Sequence, residues 1–395
     1  MASLFPINLR GARLRLGWTL DRLAEEAEKC VSKAMLSRYE QGASLPSPAV
    51  VERLAKALRV PLSVLLTEAA FKVDFIAFRK TMHLSAAEEN RIKAEAEWRL
   101  RLRWDLMRVV GETPTAPVLP RYEAADRSAA EAHASALRLE WGLGNGPLPN
   151  LTNLLEDRAF EVISLRANPA FSGISAWVEH RHPVIVVQHR DDDGARQRMD
   201  LAHELGHLVG NPVDADTEED YAGLFGAALL FPEAAVRREF PVRRNRITLA
   251  ELKTVKSKYG ISFEAILRRL RDLSLLSQEG YSWWYAKGNI RRQEKKETPV
   301  PPEMPGRPVR LASRALTEDL VSIDTLAQSG DYPPDVLDDM KQQAPARRES
   351  LQQGYLRMST VERCQILRKE AEELARYYAA NRDEILPDLM DDIEE

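Results

Sequence analysis

Apolar positions recur at helical spacing through most of this chain, and strand-like alternation is confined to its middle. In the first sixty residues Thr19 precedes one helical run and Ser32 precedes another that stops at Gly42. Ser47 and Pro48 then open a third, carrying Val51, Leu54, Ala55 and Leu58. Residues 88–110 predict one long charged helix with Ile92, Ala96, Trp98, Leu102 and Leu106 near helical spacing, broken by the proline-rich stretch 114–120. That long helix reads as a spacer, a dimer seam or an outer layer. Helical character resumes over 128–141. Alternating Ile174, Ala176 and Val178, and the β-branched run Val184-Ile185-Val186-Val187, have strand character. Helices follow around 199–208, over 218–231 up to Pro232, over 249–259 and over 262–270.

Beyond these, Tyr281, Trp283, Trp284 and Tyr285 form an aromatic cluster, read first as packing and second as a stacking surface. Residues 291–308, a basic run followed by five prolines, read as a linker. Short helices are expected over 311–326 and 334–340, and a longer one over 359–380 opened by the capping-box pattern Ser359-Thr360-Val361-Glu362. The acidic end, 383–395, reads as a solvated tail, or as a cover for a basic surface. The fold class expected is α+β, mainly helical. Its parts are a helical domain at 1–68, a helical connector at 69–120, a domain with a small sheet at 121–290, a linker at 291–308 and a helical region with an acidic tail at 309–395.

The segment Ala202-His203-Glu204-Leu205-Gly206-His207-Leu208 carries the sharpest chemistry. Positions four apart share a helix face, so His203 and His207 can bind one metal ion, and Glu204 is placed to act as base. Zn²⁺ on such ligands lowers the pKa of its water from about 15.7 to about 7, the chemistry of peptide hydrolysis. A third protein ligand is needed. Asp214, Asp216, Glu218, Glu219 and Asp220 are all candidates by charge, and spacing alone does not choose among them. Ala222, Gly223, Gly226 and Ala227 are small enough to let that helix lie close against the histidine helix. An oxyanion donor is also expected, with Arg268 or Arg269 available for it.

At the N-terminus, Ser32, Lys33, Ala34, Ser37 and Arg38 occupy the positions from which the second helix of a helix-turn-helix reads a major groove. Between residues 8 and 60 ten basic residues face six acidic ones, an excess suited to a phosphate backbone. The whole chain of 395 residues carries a net charge of −4, so attraction to double-stranded DNA must be local to this domain. No apolar run approaches the ~20 residues of a membrane span and the first residues are no signal peptide, so a cytoplasmic protein is expected. Cys30 and Cys364 lie far apart, which argues against a disulfide and leaves the metal site without thiolates.

The residues 203–208, followed by Glu219-Asp220-Tyr221-Ala222-Gly223-Leu224-Phe225 and Leu229-Leu230-Phe231-Pro232, resemble the ImmA/IrrE metallopeptidase family. The resemblance implies that Glu219 is the third Zn²⁺ ligand, with Glu218 second in line. It extends upstream through 148–156, 173–178 and 183–187, which look like the family's small sheet, where an edge strand could pair with an extended substrate. The N-terminal segment, ending in Leu54-Ala55-Lys56-Ala57-Leu58-Arg59-Val60-Pro61, resembles the Xre/Cro-type repressor domain. Its turn, Glu28-Lys29-Cys30-Val31, is longer than usual and lacks a glycine.

Together these imply a helix-turn-helix DNA-binding domain at 1–68 and a zincin-like peptidase domain at 121–290, in a DNA-binding zinc metallopeptidase that cleaves a repressor or antitoxin-like protein in stress or phage response. A homodimer would suit two half-sites. The alternative is a DNA-binding regulator or antitoxin-like module whose peptidase fold is a sensor or structural zinc domain.

Overall fold

The computed structural model describes residues 5–343 apart from 61, 67–70, 81–83, 213, 330, 331 and 333. Five helices come first: α1 (Phe5–Arg15), α2 (Leu20–Glu26), α3 (Lys33–Glu40), α4 (Pro48–Leu58) and α5 (Leu62–Leu66). The hydroxyls act where the sequence placed them. Thr19 Oγ1 accepts from Arg22 N at 3.2 Å and Ser32 Oγ from Met35 N at 3.3 Å. The long turn between α2 and α3 is made without glycine, with Glu28 and Lys29 both at φ 55°. Left-handed backbone costs such residues about 1–2 kcal/mol each, which the core beneath must offset. Leu9, Leu23, Leu36, Leu54 and Leu58 are fully buried in that core. Arg13 ties α1 to α3 through two bonds to Glu40 of 2.6 and 2.7 Å, so it is not available to a phosphate, contrary to the simple charge count.

Next come β1 (Val73–Lys80) and α6 (Ala86–Val109), the latter capped by Ser85. The helix α6 is more than a connector. One side adds Trp98 to the N-terminal core, where the Arg15 guanidinium lies 4.6 Å over its ring. Ile92, Ala96 and Leu100 pack under the sheet on the other. An apolar cavity of about 320 Å³ opens between α1, α5, α6 and the start of β1, lined by Ile7, Val64, Phe71, Glu97 and Arg101 among others. Glu97 lines it with its side chain still open to solvent, and the apolar surroundings raise its carboxyl pKa against the pull of Lys93.

The elements β2 (Tyr122–Ala125), α7 (Ala130–Glu140), α8 (Leu151–Glu156), β3 (Glu161–Leu165), β4 (Phe171–Val178) and β5 (His182–Gln188) follow. The sheet order is β1-β4-β5-β3, with β3 parallel to β5 and the other pairs antiparallel. Residues 148–156, expected with the sheet, instead contain α8. The strand actually beside β5 is β3, whose five residues are all buried and show no alternation of exposure. Both faces of the sheet are covered. Val162, Ile185 and Val187 pack into the main core, whereas Ile163, Ile174, Ala176, Val184 and Val186 face α6.

The chain continues through α9 (Gly194–Val209), β6 (Gly210–Pro212), which pairs parallel with β2, α10 (Ala215–Leu230), α11 (Glu233–Glu239), α12 (Leu249–Tyr259), α13 (Phe263–Asp272), α14 (Gln278–Ala286) and α15 (Ile290–Glu294). Then come α16 (Arg307–Thr317), α17 (Ile323–Ser329) and α18 (Pro334–Gln343). In the aromatic cluster Trp284 is core, whereas Trp283 and Tyr285 are exposed. Cys30 is a free thiol. No helix among the described residues is long and apolar enough to cross a membrane. Residues 359–380 and 383–395, read as a helix and an acidic tail, lie outside the described residues.

The expected linker is a docked strap. Gly194 N donates to Val300 O at 2.9 Å, and Gln197 makes bonds of 2.9 and 2.7 Å with the backbone O and N of Glu303. The Glu303 carboxylate accepts from Leu151 N at 2.7 Å and Thr152 N at 3.0 Å, at the start of α8, and pairs with Arg198 of α9. Prolines here hold an extended segment against the protein rather than spacing two bodies apart.

Candidate metal centre

The helix α9 starts at Asp193, whose side chain accepts from Arg196 N at 3.1 Å, and is buried along nearly its whole length. Its partner α10 starts at Asp214, which accepts from Thr217 N at 2.8 Å. The two helices touch backbone to backbone. A Cβ on Gly226 would come within 2.9 Å of His203 N, and one on Gly206 within 3.0 Å of Ala222 Cα. Small residues at the crossing thus bring the acidic first turns of α10 over the histidines, as their pattern suggested.

One turn apart on α9, His203 Nε2 and His207 Nε2 lie 3.0 Å from each other. Glu219 spans them, with Oε2 3.3 Å from His203 Nε2 and Oε1 3.5 Å from His207 Nε2. These three are the residues among those described that could hold a metal ion, with donor atoms all within 4.8 Å. The set fits a divalent ion: ligand atoms about 2.0–2.1 Å from a tetrahedral zinc are about 3.3 Å apart. Glu218 does something else. Its Oε1 lies 2.9 Å from His207 Nδ1, so that nitrogen donates to the carboxylate and Nε2 is the nitrogen that faces Glu219. Asp220 points away and is 70% exposed near Arg127, and Asp214 is spent as a cap.

Burial disfavours the charged His207 imidazolium, but the carboxylates of Glu218 and Glu219, with Glu204 nearby, outweigh it and hold its pKa at about 9. Hydrogen bonds from His203 and His207 hold the Glu219 carboxyl well below the usual range. A pocket this rich in carboxylates favours a cation.

Glu204 has no solvent exposure. Its Oε2 accepts from Ser175 Oγ at 2.5 Å, and the same hydroxyl lies 3.0 Å from Glu204 O. Its carboxylate lies over Gly173, where any Cβ would sit 2.4 Å from Oε1. Both contacts come from β4. Neither Ser175 nor Gly173 was singled out from the sequence, although alternation puts them on the opposite face from Ile174 and Ala176.

Of the two arginines expected as oxyanion donors, one is engaged elsewhere and the other faces solvent. Arg269 is buried, with Nε bonded to Phe231 O at 3.1 Å and Nη2 to Glu131 at 2.7 Å, where it holds the end of α10. Arg268 is on the exposed side of α13. A planar guanidinium fixed between a helix terminus and a carboxylate is not free to turn toward an oxyanion.

On α3, Lys33, Ala34 and Arg38 are exposed, as a reading helix requires. Lys33 also reaches Asp21 at 2.7 Å. Ser32 is committed to its cap, and the half-buried Ser37 accepts from Gln41 at 3.3 Å.

Residues 161–271 match the model of the IrrE N-terminal-like domain, Peptidase_M78, and residues 9–65 match that of the helix-turn-helix. No curated protein matches the chain. The first match spans β3 to α13 and contains the histidine pair, Glu204, Glu218 and Glu219; the second spans α1 to α5. The chain therefore joins an N-terminal helix-turn-helix domain of Xre/Cro type to an IrrE/ImmA-like domain of metallopeptidase fold.

Proposed function

We propose that the protein is a DNA-binding regulatory zinc endopeptidase that cleaves a repressor or antitoxin-like protein and so switches gene expression in stress or phage response. The observation that carries this is Glu204, a carboxylate held by Ser175 one residue from the first of two facing histidines. A purely structural metal site has no use for a base beside its ligands. In this reading His203, His207 and Glu219 hold Zn²⁺, and Glu218 fixes the His207 tautomer. Bound zinc supplies a polarised water and Lewis acidity at the scissile carbonyl. Glu204 takes the proton of the attacking water and delivers it to the leaving amine, and Ser175 keeps its second oxygen in place.

The test compares cells expressing the full chain with cells expressing Glu204→Gln. Enrichment of new protein N-termini is expected to reveal a DNA-binding or antitoxin-like protein cut only with the intact chain. Identical sets of termini in both cultures would defeat the proteolytic reading.

The helix-turn-helix domain would place this activity at an operator, two copies reading two half-sites. Arg38→Ala is expected to weaken binding to DNA from upstream of the protein's own gene by about 1–3 kcal/mol, with hydrolysis unchanged. Unaltered affinity and salt dependence in a mobility-shift titration would remove Arg38 from the interface.

A further inference from the structure

The strand that holds Glu204 is β4, and its outer edge is covered by β1. The two run antiparallel, with Ala77 opposite Ser175 and Arg79 opposite Gly173, the two β4 residues that touch the Glu204 carboxylate. An extended peptide recognised by a sheet adds to an edge strand through main-chain hydrogen bonds, and the β4 edge is the backbone ladder beside this base. Here an internal segment fills that place. Residues 73–80 fall outside both family matches, 9–65 and 161–271, and reach the sheet from the connection between them.

Two further observations fit a removable cover. The β4–β5 ladder runs without a break from Gly173 opposite Val187 to Val178 opposite His182. The β1–β4 ladder breaks register twice in eight residues, between Phe75 and Ala77 and between Arg79 and Lys80, on either side of the stretch nearest Glu204. Meanwhile Glu204 is wholly enclosed and His203 is only 2% exposed, whereas Glu219 is more than half exposed. A base that must act on a solvent-derived nucleophile is shut away.

We propose that the outer edge of β4 is the polypeptide-binding edge of the metal centre and that β1 is its internal occupant, making this conformation the latent one. A substrate segment adds where β1 now lies, once β1 leaves. This rests on the peptidase reading, since only a polypeptide substrate has the backbone groups to replace β1.

The test locks or loosens β1 in the full-length, zinc-loaded chain with Cys30 and Cys364 replaced by Ser. Asp74→Cys with Trp177→Cys, a directly opposed cross-strand pair, gives a lock reversible by reductant. Ala77→Pro removes a strand amide, and Phe75→Ala weakens the packing of β1 under Lys93 should the proline variant fail to fold. The probe is fluorescein-labelled β-casein, an unfolded polypeptide. Its binding is followed by anisotropy on the Glu204→Gln background and its cleavage on the Glu204 background.

If the free edge limits binding, the apparent affinity scales with the fraction of open molecules, and loosening is expected to tighten it about tenfold or more. Locking is expected to abolish it until reductant is added. Equal binding by locked and loosened forms overturns the inference, as does absence of binding to every loosened form. Cleavage that is the same in locked and loosened forms overturns it too, while leaving the peptidase reading intact. Binding that follows the edge without cleavage by any Glu204 form upholds β4 as a polypeptide-binding edge, and the protein partner's new N-termini, present or absent, then decide the peptidase reading separately.

Discussion

Replacing Glu204 by Gln is expected to lower hydrolysis of the protein partner by about 10²–10⁴-fold while leaving metal content unchanged. The side chains are nearly isosteric, which matters where a Cβ on Gly173 would already collide with the Glu204 carboxylate. The amide oxygen can still accept from Ser175 Oγ, and no ligand atom is altered. What disappears is the capacity to accept a proton. Removing a buried carboxylate also lifts a desolvation cost, so the variant should melt no lower than the wild type. His203→Ala makes the contrast: it deletes a donor atom and should fail to retain stoichiometric zinc on dialysis. Zinc is to be quantified by atomic emission and turnover by mass spectrometry of the cut partner. Full activity in Glu204→Gln would exclude this carboxylate as the base, and full zinc in His203→Ala would exclude that histidine as a ligand.

How much of this was written in the sequence differs from residue to residue, for physical reasons. His203, Glu204 and His207 are legible because helical periodicity alone places i and i+4 on one face. Caps such as Thr19 and Ser32 are equally local, each needing only an amide three residues ahead. Glu219 is different. Five acidic residues precede or open α10, and what separates the one spanning two imidazoles from the one bonded to His207 Nδ1 is the crossing of two helices. Spacing did not decide it, and resemblance to a family did.

Contacts made across the chain left still less trace. Gly173 and Ser175 stand out only once β4 is known to pack against α9. The strand β3 is buried on both faces and therefore has no alternation to read. The segment 73–80 mixes Asp74, Arg79 and Lys80 with apolar residues and breaks register twice, so no period of two survives in it. Arg269 shows the converse error: a cation near a metal motif suggests an oxyanion donor until its bonds to Phe231 and Glu131 are seen. The strap misled most, because prolines and charges have the same composition whether they are solvated or docked.

That strap carries the second large effect. Glu303→Ala is expected to destabilise the fold by about 3–5 kcal/mol, the cost of breaking a buried ion pair by removing one partner. Glu303 is 8% exposed and serves five groups: the Arg198 guanidinium, the Leu151 and Thr152 amides and, through its backbone, Gln197 and the Thr152 hydroxyl. Truncation leaves Arg198 charged in a place where little water can reach, and leaves the first amides of α8 without an acceptor. Glu303→Gln keeps an acceptor for those amides but loses the charge, so its loss should be smaller. Because Gly194, Gln197 and Arg198 lie within the turns of α9 that precede His203, loosening them should also weaken zinc binding without touching a ligand. Urea unfolding of the zinc-loaded protein, read alongside zinc affinity by competition with a chelator, measures both. A Glu303→Ala chain as stable as the wild type would mean that residues 299–305 merely rest on the surface. Lost stability with unchanged zinc affinity would mean that the strap supports the fold but not the metal centre.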